Sequence, residues 1–181
     1  MTPSGIRFVI APGYLDSDPE HWQTRWQADL GDAATRTAPR SWTEPEFDDW
    51  VSALDAVMVP DAVIVAHSLG CLTALAWLER HPSTAAGAFL VAVPDAEGPD
   101  FPPQITGFTR PSRTSPVPTL MVASTDDPYS AIEVSRATAA VIGADLVEIE
   151  AGGHLSTASG RGPWPEGRAL LDRFVSGLAT H

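Results

Sequence analysis

An α/β architecture, a mainly parallel sheet of about six strands with helices on both faces, is what this sequence predicts. Three observations carry the prediction. Short strand-forming runs alternate with helical patterns along the chain. The run Val63-Ile64-Val65 is apolar without alternation, as a parallel strand covered on both faces should be. No internal repeat or linker divides the 181 residues, and 44% hydrophobic content supplies a core for one domain, residues 1–181.

In chain order, Ile6-Arg7-Phe8-Val9-Ile10-Ala11 reads as the first strand and Pro12-Gly13-Tyr14 as the loop after it. A helix is expected over 19–30, where Trp22 and Trp26, four apart, share one face and read as core or as support for the first loop. A short strand near 36–38 and a helix over 45–57 precede the strand at 62–67 and a helix over 69–80, which Pro82 ends. A strand at 87–93 leads into a proline-rich irregular stretch, 94–117. That stretch is either a partial cover over a site, with Phe101, Ile105 and Phe108 meeting a ligand, or a loop closing its own small core. Strands at 118–123 and 146–150 flank a helix over 130–142, and a last helix covers about 166–178. A ligand should then sit beyond the carboxyl ends of the strands.

The chemistry concentrates at Ala66-His67-Ser68-Leu69-Gly70. A strand that turns into a helix within one residue strains that residue and lifts its side chain out at the sheet edge, which suits a nucleophilic serine. The form here is A-H-S-L-G, with Ala66 where the commoner motif has glycine. By itself this also fits a plain strand-to-helix turn, a lesser reading that the buried strand before and the helix after argue against; a serine nucleophile still needs partners elsewhere in the chain. In this arrangement an acid follows a late strand and a histidine follows the last one. Asp126 and Asp127 follow the strand at 118–123, and His154 follows Gly152-Gly153 after the strand at 146–150. Either aspartate could instead cap the helix beginning near Pro128.

The other histidines carry weaker claims. His67 adjoins Ser68 and should point away from it, His81 ends a helix, and His181 is the last residue; His21 lies near the expected mouth of the site, where it also reads as an exposed residue of a first helical turn. For an oxyanion, the N–H of Leu69 at a helix start is one donor. The N–H of Tyr14 or of Leu15 is the other, with Gly13 allowing close approach. Trp164, in Pro163-Trp164-Pro165 beyond the histidine, is a candidate for the rim of the pocket.

Composition removes whole classes of function. A formal net charge of −12 disfavours nucleic acid and anionic membranes as partners. The chain has no lysine and no asparagine. Schiff-base catalysis, serine–lysine dyads and a cysteine–histidine–asparagine triad are therefore excluded. Cys71 stands alone and reads as a small core residue. No motif for a metal or a dinucleotide is present, so no cofactor is expected. Without a leader-like or bilayer-spanning segment, a cytoplasmic location is expected.

The elements Ala11-Pro12-Gly13, Glu20-His21-Trp22 with Trp26, the elbow at 66–70, Phe108-Thr109-Arg110-Pro111, Ser124 to Pro128, and Gly153-His154 with Trp164-Pro165-Glu166-Gly167 together span nearly the whole chain. They resemble the small α/β-hydrolase family of serine hydrolases that includes retinoblastoma-binding protein nine and its bacterial relatives. The resemblance implies a minimal α/β-hydrolase fold without a lid domain and carboxylesterase-type activity on small or medium acyl esters. It implies a triad of Ser68, His154 and, of the two aspartates, Asp127. Gly13, His21, Phe108 and Trp164 are the expected substrate contacts. The expected partner is a small-molecule ester, and the chain leaves room for a protein partner without indicating one. The alternative is a hydrolase-shaped binding module with little turnover. A histidine base predicts loss of rate on acidification through the ordinary histidine range, about pH 6.5.

Overall fold

A computed structural model describes residues 5–82 and 84–178; His181 lies outside them. Its single sheet has six strands in the order β2-β1-β3-β4-β5-β6, and every pairing is parallel. The strands are β1 (Phe8–Ala11), β2 (Ala34–Arg36), β3 (Val63–His67), β4 (Gly87–Val91), β5 (Thr119–Ser124) and β6 (Asp145–Ile149). The α-helices among the described residues are α1 (Trp22–Leu30), α2 (Phe47–Asp55), α3 (Leu69–Arg80), α4 (Ile132–Ile142) and α5 (Pro165–Leu178).

Alternation along the strands divides the interior into two cores, because successive side chains point to opposite faces. Val9, Ala11, Ile64 and Ala66 face α2, α3 and α4, where Trp50, Leu54, Leu72, Leu78 and Ile142 pack. Phe8, Ile10, Val63 and Val65 face α1 and α5 and meet Trp22, Trp26, Leu171 and Val175. Residues 63–66 are fully buried, which is why their sequence shows no polar alternation. From β1 the chain winds outward to β2 and then returns to β3 on the other side. The carboxyl ends of β1 and β3 therefore flank the crevice where strand order reverses.

Several element boundaries move for local reasons. The first helix starts at Trp22 rather than at 19, because Asp18 Oδ1 accepts the Glu20 N–H (2.8 Å) and its carbonyl accepts the His21 N–H (3.0 Å), closing a turn in front of it. The fourth helix starts at Ile132 rather than at 130, after a turn in which Asp127 Oδ1 accepts the Tyr129 N–H (2.9 Å). Its cap position is Ala131, with no side-chain bond, so neither Asp126 nor Asp127 caps a helix. The fourth strand ends at Val91 because Ala92 turns to φ 54°. Among the described residues no helix is long and apolar enough to cross a membrane.

Candidate active site

Ser68 sits between β3 and α3 at φ 51°, ψ −126°. Such a conformation costs roughly 1–3 kcal/mol and persists only where the surroundings fix it. Here the Ser68 N–H donates to the Val91 carbonyl (3.0 Å), and the Ser68 carbonyl accepts from the Cys71 N–H (2.8 Å). Gly70 makes the turn fit: a Cβ there would stand 2.2 Å from the Ala11 carbonyl oxygen and 2.5 Å from that of Pro12. Gly13 has the same duty from the other side, since its Cβ would lie 2.8 Å from Ser68 Cβ. Gly13 thus brings the loop after β1 against the serine, and it is not among the residues lining the pocket described below.

His154 lies in a loop that distant residues hold at several points. The Gly152 N–H donates to Ser124 Oγ (2.9 Å), the Gly153 N–H to Asp126 Oδ1 (2.7 Å) and the His154 N–H to Ser159 Oγ (3.0 Å). The His154 carbonyl accepts from His67 Nε2–H (2.9 Å), the Leu155 carbonyl from Trp22 Nε1–H (2.8 Å) and the Pro163 carbonyl from Trp26 Nε1–H (3.1 Å). So held, the imidazole places Nδ1 at 2.9 and 3.0 Å from the two Asp127 carboxylate oxygens and Nε2 at 2.8 Å from Ser68 Oγ. With Nδ1–H donating to the carboxylate, Nε2 is free to accept the serine proton.

The two aspartates point in different directions. Asp127, its side chain 2% exposed, faces the imidazole. Asp126 points the other way, accepting from Ser124 Oγ–H (2.7 Å) and the Gly153 N–H, and the Ser124 bond holds its carboxyl below the ordinary value. Two donors toward the site were in question after β1. The Leu15 N–H donates to the Trp42 carbonyl (3.0 Å), which takes it out of contention. Among the described residues no group accepts from the Tyr14 N–H. The Leu69 N–H heads α3, where amides have no partner within the helix.

A mostly apolar cavity of about 200 Å³ opens beside Ser68 and His154. Tyr14, Leu69, Phe101, Ile105 and Tyr129 contribute to its walls. The stretch 94–117 is therefore both things at once: Phe101 and Ile105 cover one side of the cavity, while Phe108 turns inward. Phe108 is a correction to the expected substrate contacts, because it packs edge-on against Phe47 (5.2 Å) and Trp50 (6.0 Å) in the core. Trp164 is a second. At 2% exposure it is no rim residue; it stacks on Trp26 (5.9 Å) and meets Trp22 (5.5 Å), anchoring the histidine loop to α1.

His21 is not an exposed first-turn residue but the buried cap of α1, its Nδ1 accepting the Gln23 N–H (3.2 Å). It lines a second cavity, of about 210 Å³, that also reaches Ser68 and His154. His67 points away from the serine, as strand alternation requires, yet that direction brings it behind His154, ring centroids 4.9 Å apart. Burial pushes His67 well below the ordinary histidine value, with His154 and His21 adding to the effect. Burial likewise lowers His21 to about 4. The contacts of Tyr129 and His67 escaped the sequence reading. Position supplied a signal for both: Tyr129 follows Asp127 by two residues, and His67 shares its face with Val63 and Val65, the face of Trp22.

Burial raises the Cys71 thiol, and its Sγ donates to the Val91 carbonyl (3.3 Å), so it packs as a core residue. Among the described residues no group of three or more His, Cys, Asp or Glu side chains is arranged to hold a metal ion.

A family model described as serine hydrolase matches residues 8–173. A YdeN-like hydrolase from Pectobacterium atrosepticum is 30% identical, with a TM-score of 0.85 over 96% of this chain and 92% of that one. The ydeN gene product of B. subtilis is 24% identical, with a TM-score of 0.79 over 94% and 99% of the two chains. The carboxylesterase CesB from Bacillus subtilis, 14% identical, shares the fold at a TM-score of 0.68 over 97% and 86%. A comparison with curated protein sequences finds no match.

Proposed function

The chain belongs to the serine hydrolase family, and from that premise we propose that it is a carboxylesterase acting through an acyl-enzyme on Ser68. One observation carries the proposal: Asp127, His154 and Ser68 are joined in series by hydrogen bonds of 2.8–3.0 Å, with the serine held in a strained turn at the edge of a cavity.

His154 Nε2 takes the Ser68 proton as Oγ attacks the ester carbonyl, and Asp127 stabilises the imidazolium that forms. Negative charge develops on the former carbonyl oxygen. The Leu69 and Tyr14 N–H groups are the donors we assign to it, and each such donor is worth about 10²–10³ in rate. Collapse expels the alcohol, which takes the proton from His154 Nε2. Water, deprotonated by the same nitrogen, then releases the acid and frees Ser68. The apolar cavity suits a small or medium acyl chain, and the exposed Leu15 and the half-exposed Tyr129 stand at its edge. A carboxylesterase among the fold neighbours agrees with this chemistry.

Labelling with a fluorophosphonate, read by intact mass, tests the proposal. One adduct is expected on the native protein and none on Ser68→Ala. Labelling of Asp127→Asn should slow by about 10⁴. p-Nitrophenyl butyrate should be cleaved faster than p-nitrophenyl palmitate. A folded protein that takes no adduct would overturn the enzyme assignment and leave a binding module as the alternative.

A further inference from the structure

Two cavities share the Ser68–His154 edge, and they differ in chemistry. The first is walled largely by apolar side chains; the second is walled by Asp16, Asp18, His21, His67, Ser156 and Thr157. Resting on the carboxylesterase reading, we propose that the second cavity is the leaving-group subsite and that it takes a neutral, hydroxyl-rich alcohol, so that the substrates are acyl esters of small polyols.

Direction comes first. When the tetrahedral adduct collapses, the bond between the acyl carbon and the alcohol oxygen breaks, and that oxygen takes the proton carried by His154 Nε2. The acyl group stays on Ser68 Oγ. The alcohol must therefore leave beside the imidazole, which both cavities reach; with the acyl chain in the apolar one, the polar one is left to the alcohol. His154 lies 4.9 Å from His67, and His67 lies 4.8 Å from His21, centroid to centroid.

The open hydrogen-bonding groups say what can lie there. His21 Nδ1 is occupied by the Gln23 N–H, so in the neutral ring Nε2 carries a proton, and among the described residues nothing accepts it. His67 donates from Nε2 to the His154 carbonyl, which leaves its Nδ1 as an acceptor, and no described residue donates to it. Ser156 Oγ has no hydrogen-bond partner among the described residues either. The wall thus presents an unpaired donor, an unpaired acceptor and a hydroxyl that serves as both. Groups of this kind favour ligands that pair with them and reject ligands that leave them unpaired.

Charge narrows the class further. Both imidazoles are neutral at pH 7 because of their burial, and the rim carries the Asp16 and Asp18 carboxylates. The nearby cation, Arg36, is committed to Asp16 (2.6 Å), Gln27 (2.8 Å) and Thr24 (2.7 Å). No arginine lines this cavity, so an anionic leaving group would meet the Asp18 carboxylate and an Asp16 already paired with Arg36, whereas hydroxyls find donors and acceptors in turn.

The test compares 1-butyrylglycerol, butyl butyrate and butyrylglycolate on the native protein, on Ser156→Ala and on His21→Asn. Ser156→Ala removes no hydrogen bond among the described residues, and Asn at position 21 keeps an acceptor for the α1 cap while replacing the ring Nε2–H with a shorter amide that reaches less far into the cavity. The native kcat/KM should be highest for the glycerol ester and lowest for the glycolate. Each variant should lower the ratio of glycerol ester to butyl ester by about three- to tenfold, the size of one lost hydrogen bond. An unchanged ratio in both variants would overturn the subsite. An equal fall for every ester leaves the ratio unchanged and overturns it in the same way. Hydrolysis of none of the three esters would instead bring down the carboxylesterase reading itself.

Discussion

The elbow at Ser68 and the loop at His154 meet at 2.8 Å, yet they are built in opposite ways. The elbow is nearly self-contained. Its strand, its turn and its helix are contiguous, and its outside requirements are room beside β1 at Gly70 and Gly13 and one bond to Val91. The histidine loop has little regular structure and is fixed by side chains from remote positions: Trp22, Trp26, His67, Ser124 and Asp126. A nucleophile can be encoded locally because strain in one residue is imposed by its immediate neighbours. A base must be aimed across the sheet, and the loop gains that aim from groups up to 137 residues away in sequence.

Damage to the elbow should be the more severe. Gly70→Ala drives a methyl into two backbone carbonyls that cannot yield, and it should cost about 4 kcal/mol of stability, read as a lower urea midpoint with unchanged slope. A shift below 1 kcal/mol would show that the elbow is less tightly packed than its distances imply.

Acid should act on the two buried histidines that stand behind the His154 loop. His21 is held to about 4 by burial, and Arg36 and His154 add to the effect against Asp18 and Asp16. Its folded value lies below its unfolded one, near 6.5, so the unfolded chain binds more protons between the two. The stabilisation is complete above about pH 6.5 and is lost as pH falls toward 4, a change of about 3 kcal/mol. His67, lowered for the same reason, acts in the same direction. Urea unfolding at pH 7 and pH 4.5 should show the loss, and His21→Asn should flatten the profile. A native profile already flat would remove this distinction between the regions.

The mildest test concerns a single strut. Trp22→Phe deletes the bond to the Leu155 carbonyl while leaving an aromatic ring in place, and it should cost about 1 kcal/mol in stability. If the loop acts by aiming His154, kcat should fall severalfold with KM little changed. A loss of stability with full kcat would mean that the remaining struts suffice.

Legibility in the sequence follows the same divide. The alternation of strands and helices, the elbow at Ser68 and the placement of acid and histidine could all be read because each is a local pattern whose physical cause lies within a few residues. Trp164 and Phe108 could not, since an aromatic residue in a loop serves equally as pocket wall or as anchor, and only the element packed against it decides. Phe47 and Trp50 claim Phe108, and the α1 tryptophans claim Trp164. Asp126 and Asp127 were indistinguishable by spacing; the turn through Tyr129 aims one at the imidazole and the other at the Gly153 amide.

The sequence by itself determined the layered α/β sheet, the strained serine and the exclusion of lysine, asparagine and paired-cysteine chemistry, because periodicity and composition are properties of the chain. Tertiary structure alone decided how the histidine is aimed and why two cavities of unlike polarity meet at the serine. Those features depend on which side chains from distant segments share a wall, and no local pattern carries that information.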